Sequence, residues 1–432
     1  MSHSFVEERD LKDAHLSLEV MAKWLAGDLD PEILQTQVVP HLLAGCSVCR
    51  DRYEEIQRLK ENLGHWDERV AVFEGQEAPE LVAELALLPF DEQLGRIIQE
   101  SRFQSWAVCQ ILLRKSLEAA FEEPAQAVNL AELGVLIAQR LGPAYDPSWV
   151  LDLQARAEAC LGNARRVLGE LRSAETAFRR AEACLAESST GNPQVRAEVL
   201  DLKASLRRDQ KRLDEAFRLL EEASSLSMQT GDEHALGTAL LKKAKILEET
   251  GDLASAVELL RQAVDKIDPA RSERLSVYSL HNLVCALTTA GRHGEALAML
   301  PRVQELFGSI ARPIDFIRLR WAEGRIAAGL DRRDEAEMTF IAVRQEFLQH
   351  GMGYEAALVS LDLAILYAQD RRTAELKRLA AEIGPIFESR DVHREALSAL
   401  VLFREACQEE RLTPQLASEI AQTLQRERQS RA

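Results

Sequence analysis

Several features that define other protein classes are scarce in this sequence. Aromatic side chains make up 5% of its 432 residues, and the 21 glycines and 13 prolines are too few for a disordered or loop-rich chain. No run of about 18 apolar residues is present, so we expect no membrane span. The N-terminal stretch MSHSFVEERDLKDAH lacks the apolar core of a secretory signal. Seven scattered cysteines do not suggest a disulfide framework, which predicts a cytoplasmic protein with reduced thiols.

Acidic residues outnumber basic residues in this sequence. The chain has 53 lysines and arginines against 70 aspartates and glutamates, a net charge of −17. Because an acidic surface repels phosphate backbones, we expect no direct binding to nucleic acid. The excess of negative charge favours a basic protein partner. The alternative is that the acidic surface only keeps the protein soluble.

The short motifs of common catalytic sites are also missing. We find no G-x-x-x-x-G-K-[ST] phosphate loop and no G-x-S-x-G nucleophile elbow. An H-E-x-x-H metal motif and a Rossmann glycine pattern are missing as well. The sequence therefore predicts a protein that is not an enzyme.

What the chain does contain is a helical repeat. Alanine, leucine, glutamate and arginine dominate, and their side chains lose little freedom in a helix. Five segments share one spacing. Each begins with a small or apolar residue, has a turn seven positions later, and has an alanine five positions after the turn. Further apolar residues lie four and seven positions after the alanine. A sixth copy, with Leu376 at the alanine position, matches the pattern less well. The marker alanines, spaced by 42, 40, 40 and 40 residues, are Ala174, Ala216, Ala256, Ala296 and Ala336.

Such a unit predicts a helical hairpin. The small residue lets two helices approach closely, and the marker alanine lies at their crossing. Gly251 and Gly291 fall at the turn, where the end of a helix often needs a positive φ. One hairpin cannot bury its own apolar face, so neighbouring hairpins must stack.

This pattern resembles the tetratricopeptide repeat family. The match is good in two segments, at Gly162, Gly169, Ala174, Phe178 and Ala181 and at Ala244, Gly251, Ala256, Leu260 and Ala263. The period of 40 exceeds the family's usual 34. The resemblance covers 149–390 and implies an all-α fold, a right-handed α-solenoid that binds a protein or peptide partner. We expect residues 76–148 to form a first hairpin or cap, with Pro124 opening a helix, and residues 391–432 to form closing helices.

In the register of that family, the first helix of each hairpin lines a concave groove. Arg318, Trp321 and Arg325 are three and four residues apart, so they share one helical face, and arginine and tryptophan often anchor recognition sites. The alternative places Trp321 in the core and leaves both arginines solvated. The other candidate groove residues are Tyr278, His281 and Asn282, with Asn163, Arg166, Arg208 and Lys245 as further ones.

A second motif, HLLAGCSVCR, lies near the N-terminus. Its cysteines, Cys46 and Cys49, are spaced so that two thiolates can reach one metal ion, and His41 can supply a third ligand. An incidental pair of core cysteines or a redox pair are the alternatives. We expect the other five cysteines to lie in the core: Cys109, Cys160, Cys184, Cys285 and Cys407.

The same segment resembles the zinc-binding anti-sigma factor family. His15, His41, Cys46 and Cys49 stand at that family's ligand positions, although four residues separate His41 from Cys46 where the family has three. The resemblance implies a small zinc-binding helical module over residues 1–75, with Zn²⁺ in a structural role and a sigma factor as partner. Residues 72–80 are the best candidate for a linker behind it.

Three functions remain open on the sequence alone. The first is a regulatory adaptor, with anti-sigma-like control of transcription. The second is a plain interaction scaffold whose N-terminal site is only structural. The third is a solenoid whose groove holds a small signalling ligand.

Overall fold

The computed structural model describes residues 33–39, 68–120, 123–142, 145–310, 313–388 and 394–429. Every regular element in these ranges is a helix. None of the described helices is long and apolar enough to cross a membrane. The chain divides into two compact units between Val195 and Arg196.

The first unit is a series of antiparallel helices. Helix α3 packs against α4, α4 against α5, and α5 against α6, while α1 packs on α3. A single π-helical turn, Leu34–Val38, precedes them. Their bounds are α1 Glu68–Ala86, α2 Phe90–Gln99, α3 Trp106–Ala119, α4 Pro124–Ala138, α5 Pro147–Val167 and α6 Leu171–Glu187.

The second unit continues the same pattern. Helix α7 begins just before the division and lies mostly in this unit. The bounds are α7 Pro193–Asp209, α8 Leu213–Thr230, α9 Glu233–Thr250, α10 Leu253–Lys266, α11 Glu273–Thr289, α12 His293–Ile310, α13 Pro313–Gly329, α14 Arg333–Gln349, α15 Gly353–Gln369, α16 Thr373–Glu388, α17 Arg394–Gln408 and α18 Pro414–Gln429. Each helix from α8 to α16 packs against the next one described, and α18 folds back onto α15.

The repeat residues occupy the predicted places. All five marker alanines have no exposed surface, and Leu376 is 5% exposed. Two of the small residues on the first helices are glycines for a steric reason. A Cβ atom at Gly162 would lie 2.8 Å from the ring of Phe178, and one at Gly324 would lie 2.8 Å from the ring of Phe340. The predicted close approach of paired helices is confirmed.

The turn between the paired helices is left-handed in every copy of the repeat. Gly251 and Gly291 have φ of 91° and 74°, as predicted. Three copies hold this conformation without glycine, at a cost that a Cβ atom imposes on left-handed backbone. The non-glycine turn residues are Lys211, Asp331 and Arg371, with φ of 59°, 60° and 56°.

Side-chain caps fix where several of the helices begin. The Asp232 carboxylate accepts from Ala235 N at 3.0 Å, and Asp252 accepts from Ser255 N at 3.1 Å. These bonds satisfy backbone donors that the first turn of a helix leaves free. Pro124 opens α4 at its first turn, as the sequence predicted.

One expectation near the N-terminus is wrong. The predicted linker at 72–80 is helical throughout, because α1 runs from Glu68 to Ala86 with Pro79 inside it. Glycine and proline together suggested a break, yet Ala78 and Val82 are buried, so tertiary packing holds the helix through the proline. The domain boundaries proposed at residues 75, 148 and 390 stay predictions.

The candidate zinc ligands cannot be placed in this fold. His15, His41, Cys46 and Cys49 lie outside the described residues. Within the described ranges, no group of three or more histidine, cysteine, aspartate or glutamate side chains could hold a metal ion. The zinc module therefore stays a prediction.

Candidate functional site

The first helices of successive hairpins in the second unit lie side by side. Helix α11 contacts α13, and α13 contacts α15. Ion pairs join neighbouring first helices across the repeat: Lys242 Nζ lies 2.5 Å from Asp201 Oδ2, and Arg208 Nε lies 3.7 Å from Glu249 Oε1. We call the surface presented by α9, α11, α13 and α15 the first-helix face. Six of the ten candidate groove residues lie on α11 or α13, and the other four lie on earlier first helices: Asn163 and Arg166 on α5, Arg208 on α7 and Lys245 on α9.

Trp321 is 9% exposed, so most of its indole belongs to the core. Its ring meets the ring of Phe347 edge to face, with centroids 5.9 Å apart. The indole Nε1–H donates to Asp362 Oδ2 at 2.6 Å. Trp321 therefore ties α13 to α14 and α15, as the core alternative predicted.

The two arginines that flank Trp321 are only loosely paired. Arg325 Nε lies 3.9 Å from Asp362 Oδ2, and Arg318 Nη1 lies 3.8 Å from Asp315 Oδ1. Both separations exceed hydrogen-bond distance. The Arg318 Nε–H is buried and has no hydrogen-bond partner. The Asp362 carboxyl is itself buried, which raises its pKa, while Arg325 and the Trp321 N–H oppose the rise.

Two other arginines of the described chain are paired much more closely. Arg102 donates to both oxygens of Glu84 at 2.7 and 2.6 Å. Arg372 does the same with Glu337 at 2.6 and 3.1 Å. A forked guanidinium matches a carboxylate in this bidentate way. Arg318 and Arg325 therefore keep donors of the kind that Arg102 and Arg372 have already used.

Helix α11 supplies the other predicted residues. Tyr278 is 52% exposed, whereas Asn282 is 5% exposed and its Nδ2 atom has no hydrogen-bond partner. His281 places its ring 5.8 Å from that of Phe307, and its Nδ1 atom is buried without a partner. An unpaired buried donor costs free energy, which a ligand with an acceptor atom would recover.

A titratable cluster surrounds His281. Its Nε2 atom lies 3.5 Å from the sulfur of Cys285. Burial alone would raise the pKa of the Cys285 thiol, but His281, Lys245 and Arg325 outweigh burial and hold that pKa below its usual range. Burial alone would lower the pKa of His281, and the nearby Cys285 sulfur holds it above its usual range.

Lys245 brings a further cation to the cluster from α9. Its Nζ atom pairs with Glu248 Oε2 at 2.9 Å. Burial would lower the pKa of Lys245, but Glu248 holds it raised. The first-helix face thus gathers Lys245, His281, Arg318 and Arg325 within one region of a chain whose net charge is negative.

The sequence interpretation missed two members of this site. Asp362 lies 41 residues beyond Trp321, close to the period of 40, and that spacing is the signal that could have paired them. Cys285 was assigned to the core but is half-buried, and His281 four residues earlier was the available signal. The core prediction is confirmed for Cys109, Cys160 and Cys407, whereas Cys184 is half-buried like Cys285.

Comparison with known proteins supports the repeat fold. The model of the family described as tetratricopeptide repeat matches residues 195–266. No curated protein matches this sequence. The matched residues include the hairpins α7–α8 and α9–α10.

Three solved structures align with this chain. A Rap protein complexed with Competence and Sporulation Factor is 14% identical, with 72% of this chain and 88% of that chain covered and a TM-score of 0.50. Aspartyl phosphate phosphatase F from Bacillus subtilis is 11% identical, with 89% and 96% covered and a TM-score of 0.48. BtubC (BKLC) from P. vanneervenii is 19% identical, with 52% and 90% covered and a TM-score of 0.44. The likeness to the Rap protein confirms the predicted tetratricopeptide-like, all-α architecture.

Proposed function

We propose that this protein is a non-enzymatic interaction protein that binds an acidic segment of a protein or peptide partner on the first-helix face. Repeat proteins of this architecture offer extended surfaces for such binding. A solved structure with a similar fold is complexed with Competence and Sporulation Factor, which supports a ligand-binding role. The compartment we propose is the cytoplasm.

The loose pairing of Arg318 and Arg325 carries this proposal. Both lie on α13, seven residues apart, which separates them by about 10 Å along the helix. Their nearest carboxylates are 3.8 and 3.9 Å away, so each retains donors for a ligand. A peptide carboxylate can accept two parallel bonds from such a guanidinium.

The local charge of the first-helix face favours a different partner from the net charge of the chain. The net charge of −17 favoured a basic partner when the whole chain was considered. Long-range attraction follows net charge, but the identity of a bound group follows the few residues that touch it. On the first-helix face those residues are the cations Lys245, His281, Arg318 and Arg325, which favour an acidic ligand.

Peptide selection against the full-length protein tests this proposal. Peptides selected from a random displayed library are expected to be enriched in aspartate and glutamate. Fluorescence anisotropy then gives the Kd of the tightest peptide for each variant. Arg318→Ala and Arg325→Ala are each expected to weaken binding about tenfold or more, about 1.4 kcal/mol, because a charge-assisted contact is lost.

Arg320→Ala is the matched control on the same helix, because Arg320 already pairs with Glu346. Its Kd should stay within about twofold of the original value. An unbiased peptide pool, or equal losses for Arg320→Ala and Arg325→Ala, would contradict the acidic-ligand proposal. Selection that yields no peptide at all would favour the alternatives of a plain scaffold or a receptor for a small signalling ligand.

We further propose that residues 1–75 form a zinc-binding module with an anti-sigma role, which would make the protein a regulator of transcription. The support is the pattern of His15, His41, Cys46 and Cys49. A closed structural zinc site takes four nitrogen or sulfur ligands. The repeats would then recruit or sense the regulatory signal.

Metal content of the full-length protein tests the zinc module. About one zinc per chain is expected for a four-ligand site, and Cys46→Ser and Cys49→Ser should each lose it. Cys184→Ser is the control and should keep the metal. Absence of metal from the unsubstituted protein would contradict the zinc module. It would also remove the support for a sigma factor as partner.

A further inference from the structure

Cys285 and His281 form a close pair on the first-helix face. They are four residues apart on α11, and the Cys285 sulfur lies 3.5 Å from His281 Nε2. Residues at this spacing lie one above the other on a helix. Both residues are half-buried.

Two neighbouring helices contribute cations to this pair. Helix α9 brings Lys245, which is paired with Glu248, and α13 brings Arg325, whose partner is Asp362 of α15. Arg318 of α13 also lies near His281, and Tyr278 of α11 lies near Lys245. Thiolates are stabilised beside histidine, lysine and arginine.

Two polar groups in this region lack partners. Asn282 is 5% exposed and lies three residues before Cys285, yet its Nδ2 atom makes no hydrogen bond. The Nδ1 atom of His281 is also buried and unpaired. Buried donors without acceptors are rare in folded proteins, so this region is suited to an incoming oxygen atom.

The other described cysteines have different surroundings. Cys184 is half-buried like Cys285, but burial and the nearby Glu158 and Glu187 raise the pKa of its thiol. Burial raises the pKa of Cys407 to about 12 and also raises that of Cys109. Cys184 is therefore a control that is also half-buried but has opposite electrostatics.

We propose that Cys285 is a reactive thiolate that hydroperoxides oxidise to a sulfenic acid, with His281 as its proton donor. The sulfur attacks the terminal oxygen of the hydroperoxide, an S–O bond forms and the O–O bond breaks. The departing alkoxide or hydroxide takes the proton of the His281 imidazolium and leaves as an alcohol or water. The sulfur loses two electrons, which the hydroperoxide accepts. This inference does not depend on the proposed acidic ligand.

The pH dependence of alkylation tests the thiolate directly. Full-length protein is treated with iodoacetamide at a series of pH values, and each cysteine is read separately by peptide mass spectrometry. Cys285 should react with a midpoint below the ordinary thiol value of about 8.5, and Cys184 with a midpoint above it. A midpoint for Cys285 at or above that of Cys184 would overturn the proposal.

His281→Gln separates the histidine from the remaining cations. The alkylation midpoint of Cys285 should rise by about one pH unit, and its reaction at pH 7 should slow roughly tenfold. An unchanged midpoint would show that His281 does not act on the sulfur. The comparison of Cys285 with Cys184 in the original protein decides the question even if this variant fails to fold.

Hydrogen peroxide with dimedone, which captures sulfenic acids, tests the oxidation step. The expected result is a dimedone adduct on Cys285 at peroxide concentrations that leave Cys184 unmodified. Cys285→Ser should lose that adduct. Equal labelling of Cys184, or no adduct on Cys285, would contradict the proposal.

Discussion

Replacing Phe340 by alanine is expected to lower the free energy of unfolding by about 3–5 kcal/mol, the usual cost of truncating a buried phenylalanine. Phe340 is 1% exposed. Its ring fills the space that Gly324 leaves open on the paired helix, where a Cβ atom would lie 2.8 Å away. Because glycine offers no side chain to collapse into the cavity, the cost should fall at the upper end.

Urea denaturation followed by circular dichroism measures this effect. Ile341→Ala is the matched control, because Ile341 is the next residue of α14 and is 48% exposed. Its free energy of unfolding should change by less than about 1 kcal/mol. Similar losses for the two variants would contradict the packing described between α13 and α14.

Replacing Ala256 by leucine is expected to lower the free energy of unfolding by about 3 kcal/mol, at the upper end for overpacked cores. Ala256 has no exposed surface and lies on α10, where it packs in the same core cluster as Ala244 of α9. Three added carbons cannot be placed there unless the two helices separate. Separation would also expose the interface with the next hairpin, since each repeat relies on its neighbours.

Ala254→Leu provides the control for this substitution. Ala254 lies on the same helix two residues earlier and is exposed, so the added leucine meets solvent. Its midpoint of thermal unfolding should stay close to that of the original protein. A tolerated leucine at Ala256 would show that the marker alanine does not set the distance between the helices.

The repeat register could be predicted from sequence because it depends on local properties. Small residues, left-handed turns and apolar positions recur at fixed intervals, and each acts within one hairpin. Gly251 and Gly291 indicated their turns, because glycine adopts positive φ without steric cost. Asp331 and Arg371 gave no such signal, since the surrounding packing imposes their left-handed conformation.

The chemistry of the first-helix face could be predicted only in part. Its residues were identified from the register, but their partners come from neighbouring repeats, and side-chain rotamers decide which pairs form. Trp321 shows this limit, because its bond to Asp362 requires one particular indole orientation. Cys285 shows it as well, since an apolar helix face gave no indication of the cations that α9 and α13 bring.

Hydroxyl-radical footprinting of the full-length protein with its tightest selected acidic peptide tests the central claim most directly. Tyr278, 52% exposed on the first-helix face, should be oxidised several times more slowly when the peptide is bound. Met338, 68% exposed on α14, should be oxidised at the same rate with and without peptide. Protection of Met338 with Tyr278 unchanged would place the ligand on the second helices and contradict binding at the first-helix face.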